Sequence, residues 1–246
     1  MIDFSRFTTL TFDCYGTLID WETGIWDALQ PLLLHNRADH VHRADALEAF
    51  AQLESVQQDA TPDLVYPRLL AQVHDAFAQR FDLRTDPDID AAFGASVPHW
   101  PAFPDSADAL RRLERRFRLV VLSNVDRAGF AASSRKLGVT FQAIYTAEDI
   151  GSYKPARRNF GIMIDDLAAS HGVAKGEILH VAQSLYHDHL PAAEIGLATA
   201  WIDRQDLAGT GSWGATAEVG TWPEVDFRFE TLAELADAVE KMTDDR

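Results

Sequence analysis

Asp13 stands at the end of a short apolar run, Leu10 to Phe12, with Gly16 in the turn that follows and Thr17 one turn on. A carboxylate at such a strand end sits where backbone N–H groups converge, which holds it ionised and aimed for nucleophilic attack. A helix cap or turn is the plainer role for a lone Asp. Ser123 and Asn124 close a second apolar run, "LVVLSN", and their hydroxyl and amide are expected in the same crevice, with a simple turn as the alternative. Lys154 precedes a proline, which biases it away from helix and leaves a long cationic side chain in a strand-to-helix loop, where a lysine is usually just solvated. Ser184, Tyr186, His187, Asp188 and His189 crowd one tight segment. An imidazole there titrates near neutrality, although a histidine at a helix start is commonly a cap or surface residue. Cys14 reads as a small buried residue, not a nucleophile. Trp21, Tyr66, Trp100 and Phe103 are expected as apolar walls of a pocket, or else as plain core.

Such residues act together only if a scaffold gathers the strand ends. From Trp21 to about Val97, segments such as "GIWDALQPLLL" and "LVYPRLLAQVHDAFAQRF" place apolar residues at i, i+3, i+4 and i+7, which predicts an all-helical insertion. Strand and helix then alternate. Strands are expected at Leu119–Leu122, Ala143–Thr146, Ile178–Val181 and Ala198–Trp201, with helices at Ala128–Leu137, Arg157–Ser170 and His189–Ile195 between them. Asp206–Pro223 reads as a long loop, "VDFRF" as a strand and "TLAELADAVEKM" as a closing helix. The fold class is therefore α/β, a Rossmann-like parallel sheet formed by residues 1–20 and 99–246, with a helical cap over 21–98.

The 246-residue chain has a formal charge of −16, which opposes nucleic acid and anionic membranes as partners, and no apolar run reaches eighteen residues. A single cysteine excludes an internal disulfide and a cysteine-rich zinc site, and with no secretory signal pattern at the amino terminus a cytoplasmic location is expected. Any anionic substrate needs a local cluster of donors.

"DCYGTLID", "VVLSN", "YKP" and "LYHDH" occur in the order and spacing of the motifs of the haloacid dehalogenase superfamily, and the resemblance runs from about Phe7 to Phe229. Phosphatases of that superfamily carry a second Asp two residues after the nucleophile, where this chain has Tyr15, and a magnesium-holding acid where it has Gln183. Asp188 alone offers too few oxygen anions for a hard ion, so neither a metal nor another cofactor is implied. The "DxYGT" form resembles the L-2-haloacid dehalogenases. That resemblance implies an Asp13 ester with a small carboxylate substrate, which Ser123 helps bind while Asn124 stabilises the departing group. It also implies that Lys154 lowers the Asp13 pKa, with Tyr153 close by. Asp188 is expected to orient the water that cleaves the ester, with His187 as the alternative, and Cys14, Tyr15 and Ser184 are grouped with the pocket residues. The cap Arg that grips halide in those enzymes has no counterpart in "EAFAQLESVQQ", which Arg43 and Arg68 flank.

Overall the chain is also similar to L-azetidine-2-carboxylate hydrolases, in which the leaving group is a ring amine. The resemblance leaves a homodimer through the cap open. A noncatalytic binding module on the same fold is the reading of another class, and a magnesium phosphatase is disfavoured by Tyr15 and Gln183.

Overall fold

A computed structural model describes residues 3–211 and 216–244. Six parallel strands form one sheet in the order β3-β2-β1-β4-β5-β6: β1 is Thr9–Phe12, β2 Arg118–Ser123, β3 Ala143–Thr146, β4 Ile178–Ala182, β5 Ala198–Ile202 and β6 Phe227–Phe229. The order reverses at β1, so the crevice between the ends of β1 and β4 is the switch point where open parallel sheets place their ligands. Register is fixed by pairing Phe12 with Val121 on one side and Val181 on the other. Alternate residues of β2 serve opposite faces. Leu119 and Val121 join a core with Leu10 and Phe12, while Val120 and Leu122 pack with Phe160, Met163 and Leu167.

Helices α1 (Trp21–Asn36), α2 (Arg43–Ala60), α3 (Tyr66–Arg80) and α4 (Pro87–Gly94) follow β1 and pack on one another. Asp20 opens α1 by accepting the Thr23 N–H at 3.1 Å. Their buried residues, among them Ile25, Leu29, Phe50, Leu69 and Phe77, continue the same core that lies under β1. The remaining helices cover the sheet: α5 (Ser106–Leu113), α6 (Arg127–Leu137), α7 (Ala147–Ile150), α8 (Arg157–His171), α9 (Leu190–Glu194) and α10 (Leu232–Asp244). The fold is the α/β parallel-sheet class that the alternating pattern predicts. The sequence reading had no helix at α5 or α7. Nor did it separate the tight π-helical turn at Leu185–His189 from the helix expected to start at His189. No helix among the described residues is long and apolar enough to cross a membrane.

The turn after β1 constrains its residues most. Gly16 adopts φ +95°, and a Cβ there would lie 3.0 Å from Gln183 Oε1 and 3.1 Å from Trp21 Nε1. Gly16→Ala combines an unfavourable backbone angle with displaced site residues, and is expected to lower the unfolding free energy by about 1–3 kcal/mol in denaturant titrations.

Candidate active site

Asp13, Asn124, Lys154 and the Gln183–Asp188 segment all follow the carboxyl ends of strands, and they meet around a small cavity of about 50 Å³. A cavity of this size suits a ligand of few heavy atoms. Tyr15, Trp21, Glu54, Tyr66 and Ser184 also line it.

Asp13 is buried, and both its oxygens are held: Thr17 Oγ1 donates to Oδ2 at 2.7 Å and Lys154 Nζ to Oδ1 at 2.8 Å. Thr17 itself accepts the Gln183 backbone N–H at 2.9 Å, which ties the β1 turn to the end of β4. Lys154 Nζ also donates to Asp188 Oδ1 at 2.7 Å and to the Leu122 carbonyl at 3.1 Å. The same Asp188 oxygen lies 2.9 Å from His180 Nε2, and His180 Nδ1 lies 2.8 Å from Thr11 Oγ1 on its paired position in β1. Asp188 Oδ2 is buried with no hydrogen-bond partner among the described residues.

One ammonium thus serves two carboxylates. Burial raises the pKa of each, and what differs is the compensation. Asp188 has Lys154 and His180 and is held well below the usual carboxylate range. Asp13 lies above its ordinary value, because burial and the Asp188 charge outweigh Lys154 and Thr17. Lys154 lowers Asp13 as expected, but it does not set the net direction, which burial and Asp188 carry upward. Burial also pushes the His187 imidazole down to about 4, so it is neutral at pH 7, and its Nε2 has no partner.

Several sequence-derived placements are corrected. Ser123 Oγ is buried without a partner and does not line the cavity, since the last residue of β2 packs inside the sheet end. Cys14, grouped with the pocket, is instead the small buried residue its type suggests, in the apolar core, where burial raises its thiol pKa. Trp100 lies behind the cavity, its ring edge-on to Tyr15 and Tyr66 and its Nε1 donating to Ser96 at 3.0 Å. Tyr153 donates to the Leu64 carbonyl, and Phe103 stacks under the Arg204 guanidinium at 3.9 Å; neither lines the cavity. Asn124 does line it, but its amide brackets Lys154, donating to the Lys154 carbonyl at 3.0 Å and accepting the Lys154 N–H at 2.7 Å. The Lys154–Pro155 peptide is cis. Tyr15 shares a 3.0 Å hydrogen bond with Ser133, and Ser184 Oγ accepts the His187 N–H at 3.0 Å.

His180, Glu54 and Arg204 had no assigned place in the site, and Gln183 was read only as the residue in place of a metal-holding acid. Glu54 accepts the Tyr66 hydroxyl at 2.7 Å, and burial raises it to about 7. Gln183 donates to Thr216 at 3.0 Å and to Gln205. Arg204 donates to the Thr17 carbonyl at 2.8 and 2.9 Å, which fixes the turn from outside. Glu54 had a readable signal, an acid in the helical stretch where no Arg stands, whereas His180 and Arg204 had none.

A divalent ion fits these residues poorly. The two carboxylates already share the Lys154 ammonium, and Gln183 offers an amide. Among the described residues no group of three His, Cys, Asp or Glu side chains could hold a metal.

A covered parallel sheet with a held carboxylate at its switch point defines an α/β protein built for chemistry at strand ends. The chain belongs to the haloacid dehalogenase-like hydrolase family, whose model matches residues 7–196. No match was found among curated protein sequences. Solved structures align over nearly the full chain. An L-2-haloacid dehalogenase from Xanthobacter autotrophicus with chloropropionic acid covalently bound has 17% identity and a TM-score of 0.76, over 96% of this chain and 99% of that one. Another L-2-haloacid dehalogenase has 22% identity and a TM-score of 0.74, over 95% and 99%. A HAD-type hydrolase from Bacillus subtilis bound to magnesium has 17% identity and a TM-score of 0.73, over 96% and 100%. At these identities the likeness is one of fold.

The Glu54 carboxyl has a consequence for stability. Its folded pKa of about 7 stands above the ordinary 4.5, so the folded state holds the proton longer, and stability falls as pH rises from about 4.5 to about 7. Glu54→Gln removes that fall. The variant is expected to gain stability relative to the parent across this window, on the order of 3 kcal/mol by pH 8, in denaturant titrations run at several pH values.

Proposed function

We propose that the protein is a metal-independent hydrolase of small 2-substituted carboxylic acids, working through an ester on Asp13. The observation that carries the reading is the double hold on Asp13: Thr17 on one oxygen and Lys154 on the other, in a cavity too small for a bulky ligand. An Asp13 oxygen bonds to the substrate carbon as the leaving group departs with its electron pair. Water then adds to the ester carbonyl, the product leaves as a hydroxy acid carrying the former Asp13 oxygen, and one proton is released. Negative charge that develops on the carbonyl oxygen during the second step is met by a donor already in place, Lys154 or Thr17.

Asp188 is the acceptor for the hydrolytic water through Oδ2, since Lys154 and His180 occupy Oδ1. A strongly depressed carboxylate is a weak base, so its part is to orient the water, and the neutral His187 beside it is the group able to receive a proton. Asn124 acts by positioning Lys154. The helices of residues 21–98 act as a cap that keeps bulk water from the ester.

Two leaving groups fit this chemistry, a halide as in L-2-haloacid dehalogenases and a ring amine as in azetidine-2-carboxylate hydrolysis. The phosphatase reading loses its acid: Tyr15 occupies that place, with its hydroxyl on Ser133.

A single turnover in heavy-oxygen water, with (S)-2-chloropropionate and separately with azetidine-2-carboxylate, should leave the label in the Asp13 side chain, with EDTA making no difference. Asp13→Asn is expected to lower kcat by about 10⁴-fold or more with an unchanged melting temperature. Label entering product directly, with none in the protein, overturns the proposal.

A further inference from the structure

Three carboxyl groups line the cavity, and the ester chemistry uses two of them, Asp13 and Asp188. Glu54 is left without a task. It comes from α2, is only 6% exposed, and is fixed by the Tyr66 hydroxyl at 2.7 Å. Among the described residues no cation is paired with it. Lys154 is the only Lys or Arg lining the cavity among the described residues, and it is committed at 2.8 Å to Asp13 and 2.7 Å to Asp188. Two carboxylates and one ammonium leave the cavity with one negative charge before Glu54 is counted. A ligand carrying only a carboxylate therefore enters a site already short of positive charge, and a departing halide finds no free guanidinium.

A ligand bearing an ammonium as well as a carboxylate supplies the missing charge. Trp21 and Tyr66 line the same cavity, and aromatic faces attract cations. The buried Asp188 Oδ2, in the lining and unpartnered among the described residues, is a further acceptor available to an N–H donor. Burial without a counter-charge accounts for the raised Glu54 carboxyl, which an adjacent ammonium would hold ionised.

We propose that the Glu54 carboxylate, held by Tyr66, binds an ammonium group of the substrate, so that the cavity selects a small amino or cyclic imino acid over a 2-haloacid. The proposal rests on the Asp13 reading for the carbon that is attacked.

The test uses two ligand pairs that differ in the nitrogen: azetidine-2-carboxylate against cyclobutanecarboxylate, and L-alanine against propionate. Binding is measured by calorimetry in the full chain carrying Asp13→Asn, which blocks turnover, with and without Glu54→Gln. The expected result is at least about tenfold tighter binding of one nitrogen-bearing ligand than of its partner, lost in the Glu54→Gln chain while the nitrogen-free ligand is unaffected. At pH 6.5, binding of that ligand should release most of one proton, read from buffers of different ionisation heat, and none in the Glu54→Gln chain. That readout distinguishes direct contact from mere loss of packing. Equal binding within both pairs, or discrimination that survives Glu54→Gln in a chain that still unfolds in one cooperative transition, overturns the inference. Heavy-oxygen label found in Asp13 after turnover of 2-chloropropionate by Glu54→Gln keeps the ester mechanism standing in that event. Absence of label in Asp13 for every substrate sinks the mechanism itself.

Discussion

Lys154 Nζ, one buried ammonium, lies 2.8 Å from Asp13, 2.7 Å from Asp188 and 3.1 Å from the Leu122 carbonyl, and the whole site depends on that arrangement. Desolvating each ion costs several kcal/mol, and the cost is offset only when geometry and additional hydrogen bonds are good. Here they are good but unequal. Asp188 has a second partner in His180, so it keeps its charge easily, while Asp13 keeps its charge against burial and against its neighbour. A nucleophile, the part proposed here for Asp13, needs to be ionised yet not overstabilised. A carboxylate raised above its ordinary pKa, with both oxygens oriented, combines these demands at neutral pH.

The scaffold explains why the three charges converge. β1 is central, so its end faces both β2 and β4, and the β1/β4 crevice is where the strand order reverses. Asn124, just past β2, clamps the backbone of Lys154 from the loop after β3. Thr11 and His180, opposite each other in β1 and β4, carry orientation to Asp188. Arg204 holds the Thr17 carbonyl from the loop after β5. The ends of five strands, β1 to β5, therefore converge on one carboxylate, which is why sequence-distant residues act as a unit.

The sheet and most helices were legible in the sequence, because period-2 and period-3.6 patterns are local. Leu119–Leu122 against the observed Arg118–Ser123, and Arg157–Ser170 against Arg157–His171, differ by a residue at their ends. Helix α5 was missed because eight residues hold barely two turns of pattern, although Ala109, Leu110 and Leu113 do share its buried face. Within the site, Asp13, Lys154 and Asp188 were readable from motif positions at strand ends. Ser123 was expected on the cavity and lies off it, since adjacency in sequence does not say which way a side chain turns; Cys14 and Trp100, grouped with the pocket residues, hold to their other reading as core, and Tyr153 is near the site but off its wall. His180 was invisible for the opposite reason: inside "ILHVA" it reads as one more interior strand residue, and only the pairing with Thr11 reveals its reach. The sign of the Asp13 shift depended on how one ammonium is divided, which a sequence cannot carry.

The sharing of Lys154 between two carboxylates is tested most directly by a carbon-13 NMR titration of the Asp13 carboxyl, in the parent chain and in Asp188→Asn. The account predicts that Asp13 titrates above the ordinary Asp value in the parent, and that it moves to lower pH when the competing charge is removed. An Asp13 that titrates at or below the ordinary value, or that is unmoved by Asp188→Asn, would contradict it.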